Sequence, residues 1–280
     1  MTVERRRTRK DGAVTAFENV LPDLTAEGDS LDAIVAGLAP EAWARPTPAP
    51  GWTIAHQIAH LTAVFRMATL AAAKPDDFTA LVARIGDDFD GAVRQALAEH
   101  LALAPADLLE RWRDSRRVAG EALAAVPPGT TVPWLVSPLP PAILACAGMM
   151  ELFAHGQDIA DALGVRREPT ARLEHLVAFA ARTRDFGYQA RGMTPPEEPF
   201  RFEITAPDGT LWTAGPAEAT QRVLGPALDF CLLVTRRRHR ADLAVRAEGK
   251  LADEWLGIAQ AYRGPAGEGR RPGQFALAHR

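Results

Sequence analysis

Two segments concentrate the side chains able to do chemistry. Gly51-Trp52-Thr53-Ile54-Ala55-His56-Gln57-Ile58-Ala59-His60-Leu61 holds two imidazoles four positions apart. Met150-Glu151-Leu152-Phe153-Ala154-His155-Gly156-Gln157-Asp158 holds a carboxylate and an imidazole at the same interval. On an α-helix that interval puts both groups on one face, a turn apart. Two facing helices that project His, Glu and His into a bundle supply three N/O ligands. Such a set suits Zn²⁺ and other borderline divalent metals, and it leaves a coordination position open for chemistry. Asp158, three residues after His155, lies near the same face and can orient a ligand imidazole or contact substrate. The spacing has a plainer reading beside this one, because a Glu–His pair four apart is common as a hydrogen-bonded pair on a wet helix face. The apolar neighbours of Glu151, His155 and Asp158 turn that face inward. Buried polar groups need partners.

Other reactive side chains carry less chemistry. With Thr53 as N-cap, His56 falls at the third helical position, where a capping-box acid or amide reaches back; a cap role is preferred there over ligation. His100, His175, His239 and His279 have no companion spacing and are expected at the surface. Arg236-Arg237-Arg238-His239-Arg240 can receive an anionic substrate or a membrane, or can form a solvated helix end, which is the preferred reading. Trp52 and Trp134 border proline-rich loops as packing anchors. Cys146 and Cys231 have no base or cation nearby in sequence, so both read as buried thiols.

The elements that must position these groups follow from periodicity. Leu24, Leu31, Ile34, Val35 and Leu38 stripe one face of a first helix over 14–38. After Pro46-Thr47-Pro48-Ala49-Pro50-Gly51, Thr53 caps a second helix that reaches Ala73. Residues 76–126 read as two helices divided near Leu103-Ala104-Pro105. Proline-rich chain leads to a helix from about Ala142 to Gly164, and Thr170 caps one more to about Tyr188. Phe200, Phe202 and Ile204 then alternate with polar residues, and Pro207-Asp208-Gly209 turns the chain into a returning strand, Thr210–Ala214. Residues 217–234 read as helix interrupted at Gly225-Pro226, 241–247 as strand, and 251–262 as a closing helix. The fold class is mainly α: a four-helix bundle with extra helices, followed by a small α+β domain. The expected division is a basic tail 1–13, a bundle 14–192, an α+β domain 199–263 and a loose tail 264–280.

Composition sets outer limits. The 280 residues are 47% hydrophobic, enough for a sizeable core and too apolar for a disordered chain. A formal charge of −3 argues against nucleic acid as a partner. The longest apolar stretch, 136–147, is interrupted by Ser137, Pro138, Pro140 and Pro141, so no membrane span is expected. The basic N-terminus precedes no apolar run and does not read as a secretory signal. Two distant cysteines point to a reducing cytoplasm rather than a disulfide scaffold.

At the two reactive segments the chain resembles the DinB-like metalloprotein superfamily, in its actinobacterial branch with mycothiol-dependent maleylpyruvate isomerase. Thr47-Pro48-Ala49-Pro50-Gly51-Trp52-Thr53, leading to His60-Leu61, is similar to the segment around that family's first metal ligand, and Glu151 through Ile159 is similar to its second and third. The hairpin, Gly225–Cys231 and Trp255–Gln260 resemble its C-terminal domain, which is similar to sterol-carrier-protein folds. The resemblance implies His60, Glu151 and His155 as ligands of zinc or another divalent metal, and a low-molecular-weight thiol, mycothiol, activated on it. It implies isomerisation or S-transfer on a small electrophilic substrate, with an arginine from among Arg236, Arg237, Arg238 and Arg240 binding substrate or thiol. His56 departs from the acidic residue usual at its position. Two other functions stay open: a thiol-independent Lewis-acid isomerase, cyclase or hydrolase, and a non-catalytic protein that binds metal and lipid. The chain is expected as a monomer or homodimer.

Overall fold

The computed structural model describes residues 19–85, 89–135 and 137–275. The basic tail 1–13, the expected helix start at 14–18, His279 and the last five residues of the tail lie outside these. The chain forms two compact units, Phe17–Glu168 and Pro169–Pro272.

Helices α1 (Val20–Val35), α2 (Ile54–Ala73), α5 (Pro105–Ala124) and α6 (Pro141–Leu163) build the first unit, and each of the four packs on at least two others. The extra helices α3 (Pro75–Ile85) and α4 (Phe89–Leu101) lie against α2. Thus 76–126 holds three helices rather than two. Residues 86–88 lie outside the described residues; their sequence, Gly-Asp-Asp, joins a residue type that stops helices to types that cap them.

Helix α2 starts where the Thr53 side chain accepts the His56 backbone N–H. Its Ile54, Ile58, Leu61, Phe65 and Ala68 recur at intervals of three and four, and all are buried. Apolar residues cover α6 on most sides, with Ile143, Leu144, Cys146, Met149, Leu152, Phe153 and Ile159 buried, so it is the central helix of the unit. Proline at its first position needs no intrahelical N–H partner. Gly164, at φ 67°, ends it in the left-handed conformation. Beyond it, Arg167 pairs with the buried carboxylate of Glu27 on α1 and donates to the Phe153 carbonyl at 2.9 Å, which ties α1 to α6. Trp134 does anchor the proline-rich crossing: its ring stacks on Phe78 of α3 at 5.4 Å and 6°.

The second unit begins earlier than the composition change at 192 suggests. Helix α7 (Leu173–Arg182) packs against a later helix, α9 (Ala227–Val234), and so belongs here. Thr170 does not cap α7 with its side chain; only its carbonyl takes part, accepting the Leu173 N–H at 3.2 Å. A turn at 183–185 separates α7 from the one-turn α8 (Phe186–Gln189). A four-stranded sheet follows, β1 (Phe200–Thr205), β2 (Leu211–Ala214), β3 (Gln221–Pro226) and β4 (Arg246–Glu248), in the order β2-β1-β3-β4. The hairpin β1–β2 is antiparallel as expected, with Ile204 opposite Trp212.

Residues 221–226 form strand β3, not the first half of a helix, and pair parallel to β1. Gly225 stands at φ 154°, where an added Cβ would meet the Val245 backbone at 3.0 Å. The expected strand over 241–247 is shorter and later, preceded by a single 3₁₀ turn at Arg240–Asp242. Helix α10 (Lys250–Ile258) closes the unit. Phe200, Phe202, Phe230 and Trp255 meet at ring distances of 5.6–6.5 Å between β1, α9 and α10, forming its core.

Candidate metal centre

Helices α2 and α6 pack together in the first unit, and the contact brings side chains 91 residues apart face to face. His60 Nε2 lies 3.4 Å from Glu151 Oε2, and His155 Nε2 lies 3.1 Å from the same oxygen. One ligand atom from each of the three falls within 4.8 Å of the others, the one such His, Cys, Asp and Glu group found among the described residues. The side chains of His60, Glu151 and His155 are 21%, 22% and 13% exposed, so solvent reaches the cluster from one side.

Electrostatics favours a cation at this point. Burial by itself would raise the Glu151 carboxyl. Hydrogen bonds and charge from His155 and His60 outweigh that effect and hold it well below the usual carboxylate range. Glu151 is therefore an anion. Each of the two imidazole nitrogens near the carboxylate oxygen either donates an N–H to it or, with its lone pair turned inward, shares a cation with it. Two imidazoles and one carboxylate are also a donor set that zinc accepts, with room left for a fourth ligand. The residues present thus fit a divalent ion.

The wall around the cluster comes from the loop before α2. Thr47 donates its backbone N–H to the Trp52 carbonyl at 2.8 Å, and Pro46 bridges to Thr53. The loop so pinned stacks the half-buried Trp52 ring on His155, at 5.8 Å and 19°, and sets it 5.4 Å from the His60 ring. Trp52, expected as a packing anchor only, therefore also forms one face of the site. His56 sits in a capping box: its Nδ1 accepts the Thr53 backbone N–H at 3.3 Å and lies 2.8 Å from Thr53 Oγ1. Its ring is 6.3 Å from Trp52.

Asp158 is completely buried, whereas the group that meets His155 Nδ1 is Gln57, whose Oε1 is 2.5 Å away. Gln57 is the site residue that the sequence did not disclose. The available signal was its place three residues before His60, which puts both on one face of α2.

Other expectations need correction. His100 and His175 are buried, at 2% and 3% exposure, because the lack of a companion titratable residue says nothing about packing. Burial lowers the His100 pKa from its ordinary value. The arginine run, in the second unit, is not a solvated helix end. It follows α9 in a tight turn: Arg236 N–H donates to Leu233 O at 2.9 Å and Arg237 N–H to Leu232 O at 2.8 Å. Arg236 takes φ 59°, a left-handed position usually held by glycine. Arg238 is buried and Arg240 pairs with Asp253. Both cysteines are buried and outside any disulfide, and burial pushes the Cys146 thiol up to about 12, so it is inert as a nucleophile.

Comparison with known proteins bears on the family and the fold. Residues 24–160 match the mycothiol maleylpyruvate isomerase N-terminal domain, and residues 196–248 match a segment described as wyosine base formation. Uncharacterized proteins from two strains of Mycobacterium tuberculosis are 48% identical to the chain over 248 residues, covering 89% of it and 96% of their own length. Among solved structures, a histidine-to-alanine mutant of mycothiol-dependent maleylpyruvate isomerase superposes with a TM-score of 0.55 at 15% identity, over 82% of this chain and 92% of that one. A second crystal structure of that isomerase gives 0.51 at 16% identity, over 78% and 88%. At such identities the likeness is one of fold.

Proposed function

This chain belongs to the DinB-like superfamily, in the branch that carries the mycothiol maleylpyruvate isomerase N-terminal domain, and on that footing we propose that it is a metal-dependent isomerase or thiol transferase. The observation that carries the proposal is the convergence of His60, Glu151 and His155 on one point beside Trp52. These three side chains would hold zinc, or another divalent ion of similar preference. Bound there, the ion would lower the pKa of a coordinated low-molecular-weight thiol, mycothiol, so that thiolate is available near neutral pH.

The chain's own residues do the rest. Glu151 stays ionised and supplies the negative charge that retains a cation. Trp52 covers one side of the imidazoles and gives a small planar electrophile a flat surface to lie on. Addition of the thiolate to an activated double bond, rotation and departure amount to isomerisation; displacement of a leaving group amounts to S-transfer.

We place the protein in a reducing compartment, in keeping with two cysteines that form no disulfide. No helix of the described residues is long and apolar enough to cross a membrane.

The test is a screen of electrophilic substrates with and without mycothiol, on the zinc-loaded protein and on His155→Ala. Turnover that requires both the thiol and His155 is the expected result. Turnover indifferent to the thiol would replace this reading with a Lewis-acid isomerase, cyclase or hydrolase.

A further inference from the structure

Gln57 is fully buried, and every partner it has in the structure constrains which way its amide points. The constraint begins at the Trp52 carbonyl, which can only accept. Thr47 Oγ1 lies 2.9 Å from that oxygen and donates its single proton there. The same Thr47 oxygen, left with lone pairs only, is 2.8 Å from the Gln57 side chain, so it must receive an N–H. The NH₂ end of Gln57 therefore faces Thr47, and its carbonyl oxygen faces His155 Nδ1 at 2.5 Å. An amide oxygen cannot donate, so Nδ1 carries the proton. In the neutral ring the lone pair is then on Nε2, the atom 3.1 Å from Glu151 Oε2, where a bound cation would be shared between the two.

We propose that Gln57, oriented by Thr47, is a positioning residue that locks His155 in the Nδ1–H tautomer and so presents Nε2 to the metal. The proposal rests on the metal reading of the cluster and deepens it. A ligand imidazole is most often held in this way by a carboxylate or a backbone carbonyl. Here a neutral side-chain amide does so, and its orientation is inherited from a loop hydroxyl rather than from its own chemistry. An amide fixes the ring without adding negative charge. His155 thus donates less electron density to the ion than a carboxylate-paired imidazole would, and the ion keeps more of its charge for whatever fills the open position. Thr47 belongs to the same relay through a residue-to-residue path of three hydrogen bonds that ends at the ring.

The experiment has two readouts other than activity. Nitrogen-15 spectra of histidine-labelled, metal-free protein are recorded at pH ~9, above the imidazole range. Zinc affinity is then measured by competition with a chromophoric chelator. Wild type should show His155 protonated at Nδ1. Gln57→Leu and Thr47→Val should show mixed tautomers and bind zinc ~10–100-fold more weakly. Thr47→Ser should restore both properties, and Gln57→Glu should bind zinc more tightly than wild type. Circular dichroism identifies any variant that fails to fold, and the Thr47 pair, lying in a loop, then decides the matter. His155 protonated at Nε2 in wild type, or wild-type zinc affinity in Gln57→Leu and Thr47→Val, overturns the proposal. An Nδ1–H ring in a wild-type protein that takes up no zinc would support the relay and refute the metal reading instead.

Discussion

Glu151 shows how far single residues can be read. Its spacing to His155 is a local property of one helix, visible in the sequence. Its approach to His60 is not, because that contact depends on how two helices pack across 91 intervening residues. Gln57 was missed for a related reason: its spacing to His60 puts it on the site face of α2 but assigns it no role, and its imidazole partner lies 98 residues away. His100 misled in the opposite direction, since an isolated histidine looks like a surface residue until its packing is known. Its burial makes a test. Burial lowers the folded-state pKa below the ordinary 6.5, so below that pH the unfolded chain takes up the proton more readily than the folded one. The stability that this residue contributes is therefore complete above pH 6.5 and declines as the pH falls below it. Urea unfolding from pH 5 to 8 should show a weaker acid-side loss in His100→Leu than in wild type, on the order of 1 kcal/mol for each pKa unit of difference. Identical profiles would contradict the assignment.

At the scale of elements, long periodic helices were legible and short segments were not. Helices α2 and α6 lie within a residue or two of their sequence-based limits, because Thr53, Pro141 and Gly164 mark their ends chemically. Strand β3 was mistaken for helix: Gln221–Leu224 has neutral propensity, and its pairing with β1 is a tertiary choice. The arginine run was read as a helix end, which it follows, but its conformation was not accessible from residue types that favour no left-handed turn. That strain gives the prediction at this scale. Arg236→Gly should raise the stability of the protein by about 1 kcal/mol in urea unfolding, because a non-glycine residue pays this much in the left-handed region. A variant that is less stable would show that the contacts of the Arg236 side chain outweigh the backbone strain.

For the molecule as a whole, the mainly α bundle and the smaller α+β unit were both readable from periodicity, while the boundary at Pro169 was not. The break in composition near 192 is a property of the chain; α7 joins the second unit through its contact with α9, which no local pattern announces. The proposed metal centre has a consequence at this scale too. An ion held by α2 and α6 binds the folded state alone, so zinc should raise the thermal midpoint of unfolding. At a free concentration ~100 times the dissociation constant the gain is about 2.7 kcal/mol. Calorimetry with zinc or with a chelator should show this upward shift in wild type and none in His155→Ala. A shift of equal size in both proteins would place the ion elsewhere.

The most direct measurement is the metal content of the purified chain by elemental analysis, compared across wild type, His60→Ala, Glu151→Gln and His155→Ala. The expected outcome is close to one divalent ion per wild-type chain and little or none in each variant that remains folded. Full occupancy in the variants, or a metal-free wild type that still refuses zinc after reconstitution, would contradict it.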